Sequence, residues 1–254
     1  MNRLAARARF TLNTTPLMLA SVTSPEEARV CLNAGADLID AKDPKTGALG
    51  ALPSATVAAI VSEIKTDRAQ RTTLVSATIG DLPMAPEAIR RATADMALAG
   101  VDYVKIGLRS DGDRRAAISS HAGCELGNAQ LVGVLFADQD PDFGLIDIMA
   151  DAGFAGAMLD TFDKKAGSIR RIFNVGRLSE FIVRAQKNSL FAGLAGSLRA
   201  QDVDALAPLG PNILGFRGAL CLDSDRTFAI DERAVAGVRS RLDAVHAAGS
   251  RAVG

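Results

Sequence analysis

Three times in this chain an amphipathic stretch ends in Ala-Gly and passes at once into a short apolar run: Ala34-Gly35-Ala36, Ala99-Gly100-Val101 and Ala152-Gly153-Phe154. Glycine there is the residue that ends a helix in the left-handed region, so each junction reads as a tight helix-to-strand turn. The same unit recurs along nearly the whole chain. Strand-type runs fall at residues 17–22, 37–41, 73–79, 102–107, 130–137, 156–160, 190–195 and 212–216. Amphipathic stretches lie between and after them, at 25–34, 53–64, 86–98, 142–152, 175–187, 200–207 and 231–247, the first opened by Ser24 before Pro25. Eight such units in 254 residues predict an α/β chain folded as a single-domain (β/α)8 TIM barrel. A doubly wound open sheet is the alternative, but it commonly has about five to seven strands, and no G-x-G-x-x-G follows the first run.

The barrel is expected over residues 16–247, with an Arg-rich N-terminal extension at 1–15 and a C-terminal tail at 248–254. Arg3, Arg7 and Arg9 precede an apolar stretch as in a targeting peptide, but that stretch runs straight into a helix start and is read as the first strand. The balance of 29 basic and 29 acidic side chains argues against a nucleic-acid partner, which needs a basic surface. The apolar runs are far too short for a membrane span. Three widely spaced cysteines, Cys31, Cys124 and Cys221, form neither a disulfide framework nor a zinc motif, which points to a reducing cytoplasm. His121 and His246 have no carboxylate at ligand spacing, so no metal is expected.

Only seven of the 29 basic residues are lysines. Lysine, unlike arginine, can be tuned to lose its proton and act as nucleophile or base. Five of the seven (Lys42, Lys45, Lys105, Lys164 and Lys165) fall at or just past strand ends, where a barrel places its active site. Alternation puts Asp40 and Lys42 on one side of the second strand, Ser76 and Thr78 on one side of the third, and Lys105 inward on the fourth. Asp160 ends the sixth. A single Lys beside Asp is commonly a structural ion pair, and Lys164-Lys165 has the look of a solvated loop. Several inward amines beside inward carboxylates instead suit a Schiff-base nucleophile, since crowded burial lowers an amine's pKa. The eight residues after Lys42 contain Gly47 and Gly50 and are suited to closing over a ligand. Loops after strands seven and eight often bind phosphate, and here they offer Gly196, Ser197, Arg217 and Gly218.

With these residues noted, the chain resembles the (5-formylfuran-3-yl)methyl phosphate synthase family, also called 4-(hydroxymethyl)-2-furancarboxaldehyde-phosphate synthase. The likeness lies in residues 34–50 (AGADLIDAKDPKTGALG), 75–81 (VSATIGD), 102–107 (DYVKIG), 157–161 (AMLDT), 194–197 (LAGS) and 215–219 (GFRGA), within a span from about Met18 to Leu242. It implies a (β/α)8 lyase that condenses two glyceraldehyde 3-phosphate molecules, with loss of phosphate and water, for methanofuran-type coenzyme biosynthesis. The resemblance further implies Lys42 as the Schiff-base lysine and Lys105 as proton acceptor, with Asp40, Asp160 and Lys164 assisting. It implies no cofactor, and the expected partners are a triose phosphate and further copies of the chain. The family commonly has asparagine where Asp43 stands, and residues 138–143 are less family-like. Two other readings stay open from the residues: a class I aldolase-like or triose-phosphate isomerising barrel, and a non-catalytic barrel that binds a phosphorylated ligand.

Overall fold

The strand-type runs are rich in Leu, Val, Ile and Ala, and in the folded chain they are buried on both faces, as parallel strands under a coat of helices must be. The computed structural model describes residues 15–66 and 72–252. Its strands are β1 (Leu17–Val22), β2 (Leu38–Ala41), β3 (Leu74–Thr78), β4 (Tyr103–Leu108), β5 (Gln130–Phe136), β6 (Gly156–Asp160), β7 (Phe191–Leu194) and β8 (Ile213–Phe216). They pair in parallel in chain order, and β8 closes on β1, giving the expected barrel. Each boundary lies within one residue of the run read from the sequence.

The helices are α1 (Pro25–Asn33), α2 (Ser54–Thr66), α3 (Pro86–Ala97), α4 (Arg114–Ser119), α5 (Leu145–Asp151), α6 (Ile169–Ile172), α7 (Val175–Lys187), α8 (Val203–Leu206) and α9 (Glu232–Ala252). Ser24 caps α1 by accepting the Glu27 N–H at 3.3 Å. Gly35, Gly100 and Gly153 adopt φ of 99°, 85° and 83°, so the Ala-Gly junctions are left-handed helix exits as their sequence implied. Helices α4 and α6 fall where no amphipathic stretch was read, and three further elements depart from the reading. The segment expected to be helical from 142 starts at Leu145, because the Asp142 carboxylate takes the Gly144 N–H at 2.7 Å and holds a turn. The stretch 200–207 is a series of single turns around the short α8, and Pro208 bars a longer helix. Helix α9 continues to Ala252, beyond the point where a tail was expected to start at 248. One glycine costs only about 1 kcal/mol in a helix of this length, too little to stop it. Nearly all of the N-terminal extension, residues 1–14, lies outside the described residues.

Alternation divides the strand residues into two cores. Outward-facing Ile39, Val75, Val104 and Leu159 join the helices. Inward-facing Leu19, Leu38, Leu74, Tyr103, Val132, Met158, Phe191 and Ile213 fill the barrel's lower interior. Two glycines make room there. A Cβ on Gly156 would lie 2.3 Å from the Phe191 ring, and one on Gly193 would lie 2.7 Å from Met158 Cγ. Towards the strand C-termini the inward positions become polar, with Ser21, Asp40, Lys42, Ser76, Thr78, Lys105 and Asp160 all buried. Register aligns them: Ser21 faces Asp40, Asp40 faces Ser76, and Thr78 faces Lys105.

The packing at Gly156 gives a first prediction. Gly156→Ala should destabilise the protein by about 1–3 kcal/mol through overpacking against Phe191. Denaturant unfolding checks this, and a midpoint equal to that of the unaltered protein would count against the packing described.

Candidate active site

Parallel register brings the side chains of five strands and one loop to a single buried cluster. Asp40 on β2 is wholly buried and accepts from three neighbours: Lys105 Nζ at 2.7 Å, Ser76 Oγ at 2.6 Å and Ser21 Oγ at 3.1 Å. Asp160 at the end of β6 is the second hub. It accepts from Lys164 Nζ at 2.5 Å, Lys42 Nζ at 3.4 Å and its neighbour's Thr161 N–H at 2.7 Å. Lys164, four residues after Asp160, also donates to the Thr161 carbonyl. The side chains of Lys42, Lys105 and Lys164 are only 8%, 5% and 16% exposed. Of the five strand-end lysines, these three converge. Lys45 and Lys165 instead reach solvent, Lys45 beside an outer cleft of about 430 Å³ that also borders Glu27, Arg217 and Phe228.

Three amines facing two carboxylates leave one positive charge in surplus when all are ionised. Burial pushes the Lys105 amine down; Asp40 partly restores it, while Lys42 depresses it further. Burial likewise pushes Lys164 down to about 8, against the pull of Asp160 and with the help of Lys42. For Asp160, burial acts to raise the carboxyl, but the Lys164 and Lys42 ammonium groups outweigh it and hold it far below the usual range. The arrangement therefore supplies two amines, on Lys105 and Lys164, able to exist in the free-base form, and an Asp160 carboxylate fixed as acceptor. That is the equipment for imine formation and for proton transfer at carbon.

The segment after β2 covers this cluster. Asp43 N–H bonds Gly50 O at 2.9 Å, closing residues 43–50 into a loop. The Asp81 carboxylate takes the Ala48 N–H at 2.7 Å and the Leu49 N–H at 3.2 Å. Leu49 is buried against Gly107, where a Cβ would come within 2.9 Å of its Cδ1. The loop expected to close over a ligand is thus seated in the barrel mouth.

Three expectations for the substrate-binding residues are corrected. Thr78 donates its hydroxyl to Leu49 O and Gly50 O at 2.8 and 3.0 Å, so it fastens the loop and presents no donor to a ligand. Ser76 spends its proton on Asp40 and positions that carboxylate. Arg217 is no phosphate fork. Its Nη1 and Nη2 grip Glu27 at 2.6 and 3.2 Å, and its remaining donors go to the carbonyls of Ser21, Arg226 and Phe228. Every N–H of that guanidinium is engaged. Gly196 and Ser197 do lie beside the cluster: a Cβ on Gly196 would be 3.0 Å from Thr161 N, and Ser197 Oγ lies 3.5 Å from Lys164 O. Gly218 opens a turn packed against the Ser224 carbonyl.

Several contributors were not singled out in the sequence. Ser21 and Asp81 act as partners of Asp40 and of the loop, and only strand register or loop folding reveals them. Arg226, eight residues past Gly218, reaches the mouth and donates to Gly47 O at 3.1 Å. Its one signal in the sequence is its place after the eighth strand, which it shares with Arg217. Among the described residues no three His, Cys, Asp or Glu side chains are grouped as a metal site.

Comparison with known proteins follows the same lines. The profile of the 4-HFC-P synthase family matches residues 18–239. A Methylorubrum extorquens protein, provisionally named (5-formylfuran-3-yl)methyl phosphate synthase, is 43% identical over 221 residues, 87% of this chain and 89% of its own. The (5-formylfuran-3-yl)methyl phosphate synthase of Methanopyrus kandleri is 32% identical, covering 83% of this chain and 92% of its own. Among solved structures, phosphoribosyl anthranilate isomerase from Thermus thermophilus aligns with TM-score 0.62 at 12% identity, over 91% of this chain and 99% of that one. That likeness concerns the barrel alone.

The depressed Lys164 amine has a consequence for stability. With a folded pKa near 8 against about 10.5 unfolded, the folded state binds fewer protons between those values. Folding stability contributed by this group should therefore rise from pH 8 to about pH 10.5, by roughly 3 kcal/mol at most. The penalty is fully present below pH 8. Denaturant unfolding across this window should show the rise in the unaltered protein and a smaller one in Lys164→Met. Equal slopes for the two would contradict the assignment.

Proposed function

The chain belongs to the 4-HFC-P synthase family, and from that premise we propose that it makes (5-formylfuran-3-yl)methyl phosphate from two molecules of glyceraldehyde 3-phosphate, through a Schiff base on Lys42. The observation that carries the reading is the pair of hubs: Lys42 and Lys164 on Asp160, and Lys105 on Asp40, all inside a closed barrel mouth. Such a reaction is a carbon–oxygen lyase step, and this chemistry supports the classification. The three cysteines are unpaired, and we assign the work to a reducing cytoplasm.

One triose phosphate is first isomerised to its ketone form. Lys42, as the free amine, adds to the aldehyde of the second, and Asp160 and Lys164 carry the protons that leave with water. The iminium withdraws electrons from the adjacent C–H bond, so Lys105, with Asp40 holding it in place, takes that proton as the enamine forms. The enamine expels phosphate from the terminal carbon, and that carbon, now the nucleophilic end of an enol, attacks the ketone carbon of the first triose phosphate, which gives the branched skeleton of the product. The hydroxymethyl oxygen of the ketone triose closes the ring on the carbonyl left by the enol, two waters are lost, and hydrolysis of the imine frees the aldehyde and Lys42. The other phosphate group stays on the product and is retained during turnover near Gly196, Ser197 and Gly218. An aldolase-like barrel would also use a lysine imine but stop at a hexose bisphosphate.

Borohydride reduction in the presence of triose phosphate is expected to leave a covalent adduct on Lys42, identified by peptide mass. No adduct, or an adduct on another lysine, would refute the assignment. Lys105→Met should keep the adduct while lowering product formation by about 10²-fold or more, the scale of a lost general base. Joint loss of adduct and product in Lys105→Met would assign Lys105 to imine formation instead.

A further inference from the structure

The reaction proposed above brings two phosphorylated substrates to the site, yet Arg217, the guanidinium nearest the end of β8, has no donor left for an anion. Arg109 is also engaged, in a two-point pair with Asp111 at 3.0 and 2.7 Å and a bond to the Asp81 carbonyl at 3.1 Å. Arg226 is different. It is half-buried at the barrel mouth, and its one hydrogen bond runs from Nη2 to Gly47 O in the loop after β2. Its remaining N–H groups have no protein acceptor among the described residues.

The backbone around Arg226 is held from below. Arg217, anchored on Glu27, grips the carbonyl of Arg226 at 2.9 Å and that of Phe228 at 2.9 Å. The segment carrying Arg226 is therefore fixed by a buried ion pair while its side chain leans inward. Burial depresses the guanidinium, which lies within electrostatic reach of Asp160, Asp81 and Asp43. Lys164 in turn is depressed partly by the charge of Arg226, so the two cations share one region. A partly desolvated guanidinium with unused donors, beside three amines that outnumber their two carboxylates, has the composition of an anion site.

We propose that Arg226 is the phosphate-binding residue of this site: it takes a substrate phosphate through paired N–H···O bonds while its bond to Gly47 ties the loop after β2 over the bound molecule. Arg217 and Glu27 are the positioning pair beneath it. The identity of the phosphorylated ligand as a triose phosphate rests on the reaction proposed above; the anion site itself rests on the geometry.

Inorganic phosphate is the probe. Thermal unfolding of the full-length protein should show a midpoint that rises with phosphate, measured against chloride at equal ionic strength. Arg226→Ala should lose most of that rise and raise KM for glyceraldehyde 3-phosphate at least ~10-fold, with a smaller change in kcat, as expected for lost substrate binding. Arg226→Lys keeps the charge without the fork and should fall between, and it serves as the test if the alanine variant does not fold. A phosphate response absent from the unaltered protein, or undiminished in both variants, would overturn the proposal. Phosphate stabilisation that depends on Arg226 without furan formation would leave the anion site standing and remove the proposed reaction. Furan formation with KM and phosphate response indifferent to Arg226 would do the reverse.

Discussion

The cluster depends on the Asp40–Lys105 pair, a wholly buried carboxylate bonded at 2.7 Å to an amine that is itself 5% exposed. Breaking such a pair by removing one partner leaves an uncompensated buried charge, at a cost of several kcal/mol. The barrel prevents that by register. Ser21 on β1 and Ser76 on β3 stand directly opposite Asp40 and occupy two more of its acceptor positions. Three neighbouring strands must therefore be correctly aligned before Lys105 can be held, and the site is as rigid as the sheet that carries it.

The second hub is less symmetrical and more accessible. Asp160 bridges a strand-end amine, Lys42, and a loop amine, Lys164, and the loop position leaves Lys164 the most exposed of the three. Asp40 and Asp160 hold the amines of Lys105 and Lys164, whose own burial favours loss of a proton. Above them the Asp43–Gly50 loop is seated by Thr78, Asp81 and the Leu49 side chain. The opening of the mouth therefore depends on these same contacts.

Much of this was legible in the sequence because it depends on local periodicity. Alternation alone placed Asp40, Lys42, Lys105 and Asp160 inward, and the Ala-Gly junctions marked where helices stop. What alternation cannot show is which partner a side chain selects once it points inward. Ser76 and Thr78 were correctly placed inside the barrel, yet one serves Asp40 and the other the loop. Arg217 was assigned to phosphate from its position after β8, whereas Glu27, 190 residues earlier, claims it by a contact only tertiary folding creates. Arg226 reaches the mouth because a nine-residue excursion from β8 folds back to it, and no period in the sequence signals that return.

The central claim is that these buried amines join two triose phosphates and carry the product through to an aromatic furan. Its most direct test is the stoichiometry of the purified protein acting on glyceraldehyde 3-phosphate alone, following furan-aldehyde absorbance and free phosphate together. One phosphate should be released for each furan formed and for each pair of trioses consumed. Consumption of triose phosphate with a hexose bisphosphate as product, and with neither absorbance nor phosphate release, would contradict it.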